Sequence, residues 1–110
     1  REIDVTEECL EFIDNQGERD SLKFFQLLEV IGEVKVEAKL SKKITRTEFY
    51  ELRIKAGNEY RVIIFAIDHL NFAECNKAVC LFGFQKKSTK DYKKAIKQSE
   101  KILKEYLIEK

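Results

Sequence analysis

The stretch FYELRIKAGNEYRVIIF, residues 49–65, predicts the centre of the fold. Two segments rich in β-branched and aromatic residues flank the tetrapeptide AGNE, and such residues favour extended strands. Gly57 and Asn58 within it both tolerate positive φ, which tight hairpin turns require. The pattern therefore predicts a tight antiparallel hairpin, and if its loop has three residues, Lys55 lies opposite Glu59.

Arg61 interrupts the second strand of this hairpin, which is otherwise almost wholly apolar. A guanidinium in such a place costs desolvation free energy unless it finds a partner or faces a solvated groove. In the predicted register Arg53 faces Arg61, and two like charges on one face destabilise the pair unless an anion lies between them. Two interpretations follow. Either the arginines form an anion site, or Arg61 makes a purely structural ion pair with Glu51 or Glu48.

The residues before the hairpin predict two helices. REIDVT (1–6) alternates briefly and is compatible with a short first strand. Thr6 or Asp4 is then suited to cap a first helix, and the break NQGERD (15–20) separates it from a second helix at about 21–31. Gly32 is placed to end that helix as a C-terminal glycine. The basic segment that follows, up to the hairpin, is predicted as a loop.

The residues after the hairpin predict one more strand and a long helix. The hairpin strands, at about 49–55 and 60–68, are followed by a third strand at 78–85, in which Gly83 allows a close approach of a backbone or a ligand. Residues 91–109 carry apolar side chains at helical spacing on one side and lysines on the other. The whole pattern predicts an α+β fold, a small sandwich in which N-terminal helices pack on an antiparallel three-strand meander that is followed by a C-terminal helix.

Length and composition restrict the class of protein. A chain of 110 residues is expected to form a single domain, residues 1–110. It contains no apolar run of about 18 residues and no signal-peptide pattern, so a soluble cytoplasmic protein without membrane contact is expected. Cys9, Cys75 and Cys80 are odd in number and lack C-x-x-C spacing, and His69 is the single histidine. We therefore expect reduced thiols and no metal site.

The charge of the chain is distributed unevenly. The formal net charge is +1, but residues 1–37 hold 4 basic and 11 acidic side chains, whereas residues 86–110 hold 9 basic and 4 acidic ones. A basic half of this kind is able to meet phosphates while the acidic half stays away from them. The alternative is that these lysines only solvate a surface helix.

Taken together, several strings resemble a known superfamily. FYELRI, EYRVIIFAID and AVCLFGFQKKS, followed by a lysine-rich final helix, resemble the RelE/ParE superfamily of toxin–antitoxin toxins, and most closely its phage-derived HigB-like branch. The resemblance covers residues 49–106 well and the two preceding helices only in order and length.

The resemblance implies a toxin that cleaves messenger RNA, usually on the ribosome, and that a small antitoxin of helix-turn-helix type silences. Such enzymes are metal-independent endoribonucleases and use no cofactor. A ribose 2′-hydroxyl attacks the adjacent phosphate in line, so the protein must orient the RNA, neutralise phosphate charge and move two protons. ParE-like relatives share the fold and bind DNA gyrase instead, so a gyrase inhibitor or a non-catalytic binding module is the alternative.

The resemblance also implies roles for particular residues. Arg61 matches the arginine that contacts the scissile phosphate, and Arg53 matches a basic position that assists it. Lys86 and Lys87 stand where the family places basic residues after the last strand. Tyr92 lies near a tyrosine that some members use in catalysis, although it also begins the apolar stripe of the final helix. We expect both arginines and at least one of the two lysines to open onto one concave face.

Further basic residues are expected to bind RNA, and one acidic residue departs from the family pattern. The expected RNA-binding side chains are Lys39, Lys42, Lys43, Arg46, Lys55 and Lys90. Glu51 stands where relatives that cleave on the ribosome often carry a second basic residue. A carboxylate there either repels phosphate or accepts a proton.

Overall fold

The computed structural model describes residues 1–33 and 41–109. Within these residues the chain forms, in order, β1 (Glu2–Val5), α1 (Glu7–Asp14), α2 (Glu18–Glu33), β2 (Ser41–Lys43), β3 (Tyr50–Ala56), β4 (Asn58–Ala66), a 3₁₀ turn (Phe72–Glu74), β5 (Lys77–Gln85) and α3 (Lys90–Glu109). The α+β class predicted from the sequence is confirmed, as are its helices and its central meander.

The five described strands form one sheet in the order β1-β5-β4-β3-β2. Strands β3, β4 and β5 pair antiparallel, as the sequence predicts, while β1 adds to β5 in parallel orientation. Strand β2 pairs with β3 at the far edge, although its segment was predicted as a loop. A strand of three residues with two lysines has little intrinsic preference for β structure, and lysines are typical of exposed sheet edges.

The hairpin has the predicted register. Lys55 pairs with Glu59 and Arg53 pairs with Arg61, and Gly57 at the tip has a φ of 89°. Because side chains alternate along a strand, this register fixes which residues share a face of the sheet.

Two apolar cores lie on opposite faces of the sheet. One face carries alternate residues of the strands, such as Leu52 and Val62, and packs against α1 and α2. The other face carries the residues between them, such as Ile63, and packs against Ala95 and Ile102 of α3. Arg61 is two residues from Ile63 and therefore lies on the α3 face.

The ends of the two N-terminal helices differ in two respects from the sequence prediction. Thr6 caps α1, since its hydroxyl accepts a hydrogen bond from the Cys9 N–H at 3.2 Å. Helix α2 begins at Glu18, within the predicted break at 15–20, and Gly32 does not end it, because the helix continues to Glu33 and Gly32 has no positive φ. Arg1 donates hydrogen bonds to the carbonyls of Ile31 and Gly32, at 3.1 and 2.8 Å.

Gly83 permits a close contact between the sheet and α1. A Cβ atom added to Gly83 would lie 2.4 Å from Cδ2 of Phe12. The group that the glycine admits is therefore an aromatic side chain of the core rather than a backbone segment or a ligand.

Candidate functional site

Five charged residues share one end of the sheet on the α3 face. They occupy alternate positions of β3 and β4 around the hairpin turn, and we call them the charged end: Glu51, Arg53, Lys55, Glu59 and Arg61. Each cation has a carboxylate within ion-pair distance, although Arg53 lies directly opposite Arg61. The arrangement is more acidic than the cation cluster that the sequence favours.

Arg61 is held in place through all three of its guanidinium nitrogens. Its Nε donates to the Tyr92 hydroxyl at 3.0 Å and its Nη1 donates to the Tyr60 carbonyl at 2.9 Å. Its Nη2 lies 3.8 Å from a Glu59 oxygen, and its Nε lies 3.9 Å from a Glu51 oxygen. Neighbouring carboxylates and hydrogen bonds of this kind offset the desolvation of a buried cation.

The prediction that Arg61 opens onto a free face is wrong. Only 4% of Arg61 is exposed, because the first turn of α3 lies over it and brings Tyr92 to its side chain. The alternative interpretation, a structural pair with Glu51, is in part what the structure contains. Glu48, the other suggested partner, is exposed in the loop before β3.

Arg53 is the accessible arginine of the facing pair. Its Nε donates to a Glu51 oxygen at 2.8 Å, while 46% of its side chain is exposed. The Glu51 hydrogen bond raises the pKa of Arg53 above its ordinary value, so the guanidinium is charged at neutral pH. An anion in solution can reach Arg53 but not Arg61.

Glu51 supplies the anion that the facing arginines require. It is 4% exposed, and one of its oxygens lies 2.8 Å from Arg53 and 3.9 Å from Arg61. The carboxylate therefore occupies the place between two guanidiniums at which a phosphate was expected.

Tyr92 packs in the core, which is one of its two predicted roles, and its hydroxyl also contacts the charged end. Its ring stands edge-on to Phe84, with centroids 5.4 Å apart, and its hydroxyl accepts the hydrogen bond from Arg61. Burial and a hydrogen bond to the Glu51 carboxylate raise the pKa of Tyr92 above its ordinary value, and the Arg61 bond opposes them. The hydroxyl is therefore protonated at neutral pH.

The segment between β5 and α3 brings Lys86 next to Tyr92. The Lys86 N–H donates to the Glu59 carbonyl at 2.8 Å, and its Nζ lies 5.9 Å from the Tyr92 ring centroid. Lys87 is exposed, and its N–H donates to the Asp91 carboxylate at 2.7 Å. This bond and a second one from the next backbone N–H lower the pKa of Asp91. The turn therefore holds Lys86 beside the charged end.

The remaining predicted cations do not form one patch. Lys42 pairs with Glu51 across the β2–β3 ladder and shares its face, whereas Lys43 pairs with Tyr50 and lies on the other face. Arg46 lines a groove of about 310 Å³ with Leu103, Lys104 and Leu107. That part of α3 lies roughly 16 Å along the helix from Tyr92, at 1.5 Å per residue.

The other RNA-binding predictions have simpler outcomes. Lys55 is 80% exposed and lies 3.7 Å from Glu59 at the hairpin, and exposed Lys90 begins α3. Lys39 lies outside the described residues. Lys55 therefore belongs to the charged end, Lys42 shares the face of Glu51 and Lys90 precedes Tyr92 by two residues, but Lys43 and Arg46 belong to other surfaces.

Three features of the described residues concern other kinds of chemistry. Residues 1–33 and 41–109 contain no group of three or more His, Cys, Asp or Glu side chains arranged to hold a metal ion. In the same residues, none of the helices is both long and apolar enough to cross a bilayer. The thiols of Cys9, Cys75 and Cys80 are buried, and burial raises the pKa of Cys9 to about 12.

Comparison with known proteins identifies the family. Residues 11–104 match the family described as Phage derived protein Gp49-like (DUF891). The chain belongs to this Gp49-like family. No curated protein matches the chain.

A solved structure supports the fold assignment of this Gp49-like protein. It is the toxin RelE of E. coli, determined as a double arginine-to-alanine mutant in the free state. The TM-score is 0.57 at 19% identity, and the alignment covers 88% of this chain and 95% of that chain. The prediction of a phage-derived protein with a RelE-like fold is therefore confirmed.

Sequence reasoning finds only part of the acidic half of the site in this Gp49-like chain. It offers Glu51 as a structural partner of Arg61 and as a departure from a basic pattern, but it treats Glu59 only as the hairpin partner of Lys55. The signal that was present is the register itself, because Glu51, Arg53, Glu59 and Arg61 all fall on one face once Lys55 is set opposite Glu59.

Proposed function

We propose that this Gp49-like protein is a toxin that cleaves messenger RNA in the cytoplasm. The observation that carries the proposal is the group formed by exposed Arg53, buried Arg61 and the Tyr92 hydroxyl on one end of the sheet. Family membership and the shared fold with RelE support it. Cleavage on the ribosome, as in the superfamily it resembles, is part of the proposal.

The proposed reaction is an internal displacement at phosphorus. The ribose 2′-oxygen attacks the adjacent phosphate, the bond to the 5′-oxygen breaks, and a cyclic phosphate and a 5′-hydroxyl form. The 2′-hydroxyl gives its proton to a solvent water molecule, and the 5′-oxygen takes one from an acid of the site. Negative charge grows on the phosphate in the transition state, so fixed cations accelerate the reaction without a metal ion or another cofactor.

The accessible groups of the site suit these tasks. Arg53 presents the exposed part of its guanidinium to a phosphate, and Lys86 and Lys87 add positive charge beside it. The Tyr92 hydroxyl keeps its proton at neutral pH and is the donor proposed for the 5′-oxygen. Arg61 acts through Tyr92 and Glu51 as a positioning residue, because it is too deeply covered to touch RNA in this conformation.

The proposal includes a protein partner. A toxin with an accessible cationic end requires an inhibitor in the cell that makes it, and a cognate antitoxin, of helix-turn-helix type in the branch this chain resembles, is the proposed partner. An acidic segment of such an antitoxin would complement Arg53, Lys55 and the lysines near Tyr92.

A second function is favoured by one specific observation. Two carboxylates, Glu51 and Glu59, lie within ion-pair distance of Arg61, so the site is less cationic than a phosphate-cleaving centre needs to be. A non-catalytic binding module or a ParE-like inhibitor of DNA gyrase requires no transition-state stabilisation and is compatible with that balance.

The test is a translation reaction in which messages are mapped for cleavage. The wild type should cut them, and Arg53→Ala should not, while Arg19→Ala serves as a control because Arg19 is an exposed arginine on α2, across the sheet from Tyr92. Intact messages in the presence of wild-type protein would contradict the proposal. Loss of gyrase supercoiling activity in that case would establish the alternative.

A further inference from the structure

We propose that the Glu51 carboxylate is a built-in anion, which neutralises Arg53 in the free protein and which an RNA phosphate replaces on binding. The inference rests on the proposed function only in naming RNA as the source of the phosphate. It assigns a positioning and gating role to a residue that first looked like a departure from a basic site.

The first step of the argument is where Glu51 lies. Its oxygen is 2.8 Å from the Arg53 Nε, and the residue is 4% exposed. A guanidinium binds a phosphate best through two parallel N–H donors, and Nε is one donor of such a pair. Because Nε is bound to Glu51, a phosphate can bind only to the N–H groups of Nη1 and Nη2 of Arg53.

The second step concerns repulsion. A phosphate bound to the Nη1 and Nη2 groups of Arg53 would lie within a few ångströms of the Glu51 carboxylate. Because Glu51 is buried, water screens the repulsion between these two anions poorly. Like charges a few ångströms apart repel several times more strongly at the effective dielectric near a protein surface than in bulk water. A phosphate that approaches closely therefore displaces Glu51 from Arg53.

The third step is that Glu51 has somewhere to go. The Arg61 Nε lies 3.9 Å from its oxygen, and the same Nε donates to the Tyr92 hydroxyl at 3.0 Å. If Glu51 leaves Arg53 and closes on Arg61, each buried charge still has a partner of opposite sign. The switch thus avoids the large free-energy cost of an unpaired buried charge.

The consequence is a measurable salt dependence. Binding to RNA releases counterions in proportion to the phosphates that protein cations neutralise, with a slope of about −0.7 per phosphate for single strands. In the wild type Glu51 already neutralises Arg53, so that contact contributes little to the slope. When Glu51 is neutral, the Arg53 contact should contribute fully.

The experiment measures binding of a short single-stranded oligonucleotide with 2′-O-methyl riboses, which cannot be cleaved. Glu51→Gln should bind it roughly three- to tenfold more tightly at low salt, with a log–log salt slope steeper by about 0.7. Glu48→Gln is the matched control, since it removes the same charge from an exposed residue three positions away. Wild-type affinity and slope for Glu51→Gln, or weaker binding, would overturn the inference.

A second measurement uses the wild type and does not depend on the stability of a variant. During titration with the same oligonucleotide, the nuclear magnetic resonance signals of the Arg53 Nε–H and of the Glu51 carboxyl carbon should move together. An Arg53 signal that moves while the Glu51 signal stays in place would show that phosphate adds to the pair without replacing the carboxylate, which contradicts the inference.

The two proposals can fail separately. Binding to an uncleavable oligonucleotide is independent of cleavage, so a wild-type protein that leaves messages intact while Glu51→Gln shows the steeper slope would refute the ribonuclease proposal alone. Cleavage by the wild type together with an unchanged slope in Glu51→Gln would refute the built-in anion alone.

Discussion

Arg53 and Arg61 lie directly opposite each other on neighbouring antiparallel strands, yet their side chains differ about ninefold in exposure, at 46% and 5%. The register makes them neighbours, and α3 makes them different, because its Tyr92 covers Arg61 and leaves Arg53 open. We therefore expect the two arginines to have separable roles: Arg53 contacts the ligand, and Arg61 positions the residues around it.

Arg53→Ala should abolish most activity and leave the fold intact. Removal of one preorganised charge-stabilising donor typically costs about 10² to 10³ in rate. Since Arg53 is half exposed, its contribution to the free energy of unfolding should stay within about 1 kcal/mol. Cleavage rates and urea unfolding of the same preparations check both parts, and a large loss of stability would show that Arg53 is a structural residue.

Arg61→Ala, unlike Arg53→Ala, should strongly lower the free energy of unfolding. It leaves Glu51 buried with a single cation and leaves the Tyr92 hydroxyl without its donor, and breaking a buried pair typically costs about 3 to 5 kcal/mol. Chemical denaturation should therefore show a large fall in the free energy of unfolding. Full stability combined with lost cleavage would indicate that Arg61 reaches the phosphate itself in a conformation different from the one described.

Tyr92→Phe separates the packing of the aromatic ring from the proposed proton donation by the hydroxyl. The ring keeps its contact with Phe84, so the unfolding free energy should fall by only about 1 kcal/mol, the typical value of one hydrogen bond. Loss of a general acid typically lowers the rate about 10² to 10⁴-fold. Because the raised pKa keeps the wild-type hydroxyl protonated as pH rises, the wild-type rate should not decline below a pH of about 10. An undiminished rate for Tyr92→Phe would remove the residue from the mechanism.

Gly83→Ala should destabilise the protein through Phe12. The added methyl group would meet the Phe12 ring at 2.4 Å, and overpacking of a core typically costs about 1 to 3 kcal/mol. Phe12→Leu in the same chain should recover part of the loss, because the smaller side chain leaves room for the methyl group. If the losses in the free energy of unfolding simply add in the Gly83→Ala, Phe12→Leu double variant, the added methyl group is accommodated by movement of the strand rather than of the Phe12 ring.

Local rules predicted the parts of this fold that depend on neighbouring residues. The turn AGNE and the alternation of β3 and β4 fix the hairpin register, so the pairing of Arg53 with Arg61 was available from the sequence. The N-cap at Thr6 and the long amphipathic α3 follow from equally local patterns. These features depend on backbone sterics and side-chain periodicity alone.

Long-range packing decided what local rules did not predict. The burial of Arg61 depends on where α3 crosses the sheet, some 30 residues later in the chain, and no pattern within β4 contains that information. Strand β2 forms because the edge of β3 offers unpaired backbone groups, although its own residues favour a loop. Arg1 binds the carbonyls of Ile31 and Gly32 in α2, 30 and 31 residues away, which no local pattern predicts.

Asp91→Asn should make the free energy of unfolding less dependent on pH at acid pH. The N–H groups of Lys87 and Ser88 bind the Asp91 carboxylate at 2.7 and 2.9 Å and hold its pKa below the ordinary value. A carboxyl group whose pKa is lower in the folded state stabilises the protein above its unfolded pKa, near 3.9, and that stabilisation disappears as pH falls through the folded value. Urea unfolding between pH 7 and about 2 should therefore show a smaller loss in the free energy of unfolding for Asp91→Asn than for the wild type.

The variant should also be the less stable protein at neutral pH, since an amide oxygen accepts backbone hydrogen bonds more weakly than a carboxylate. Parallel profiles for the two proteins would show that the turn before α3, and with it the position of Lys86 beside Tyr92, does not depend on this carboxylate.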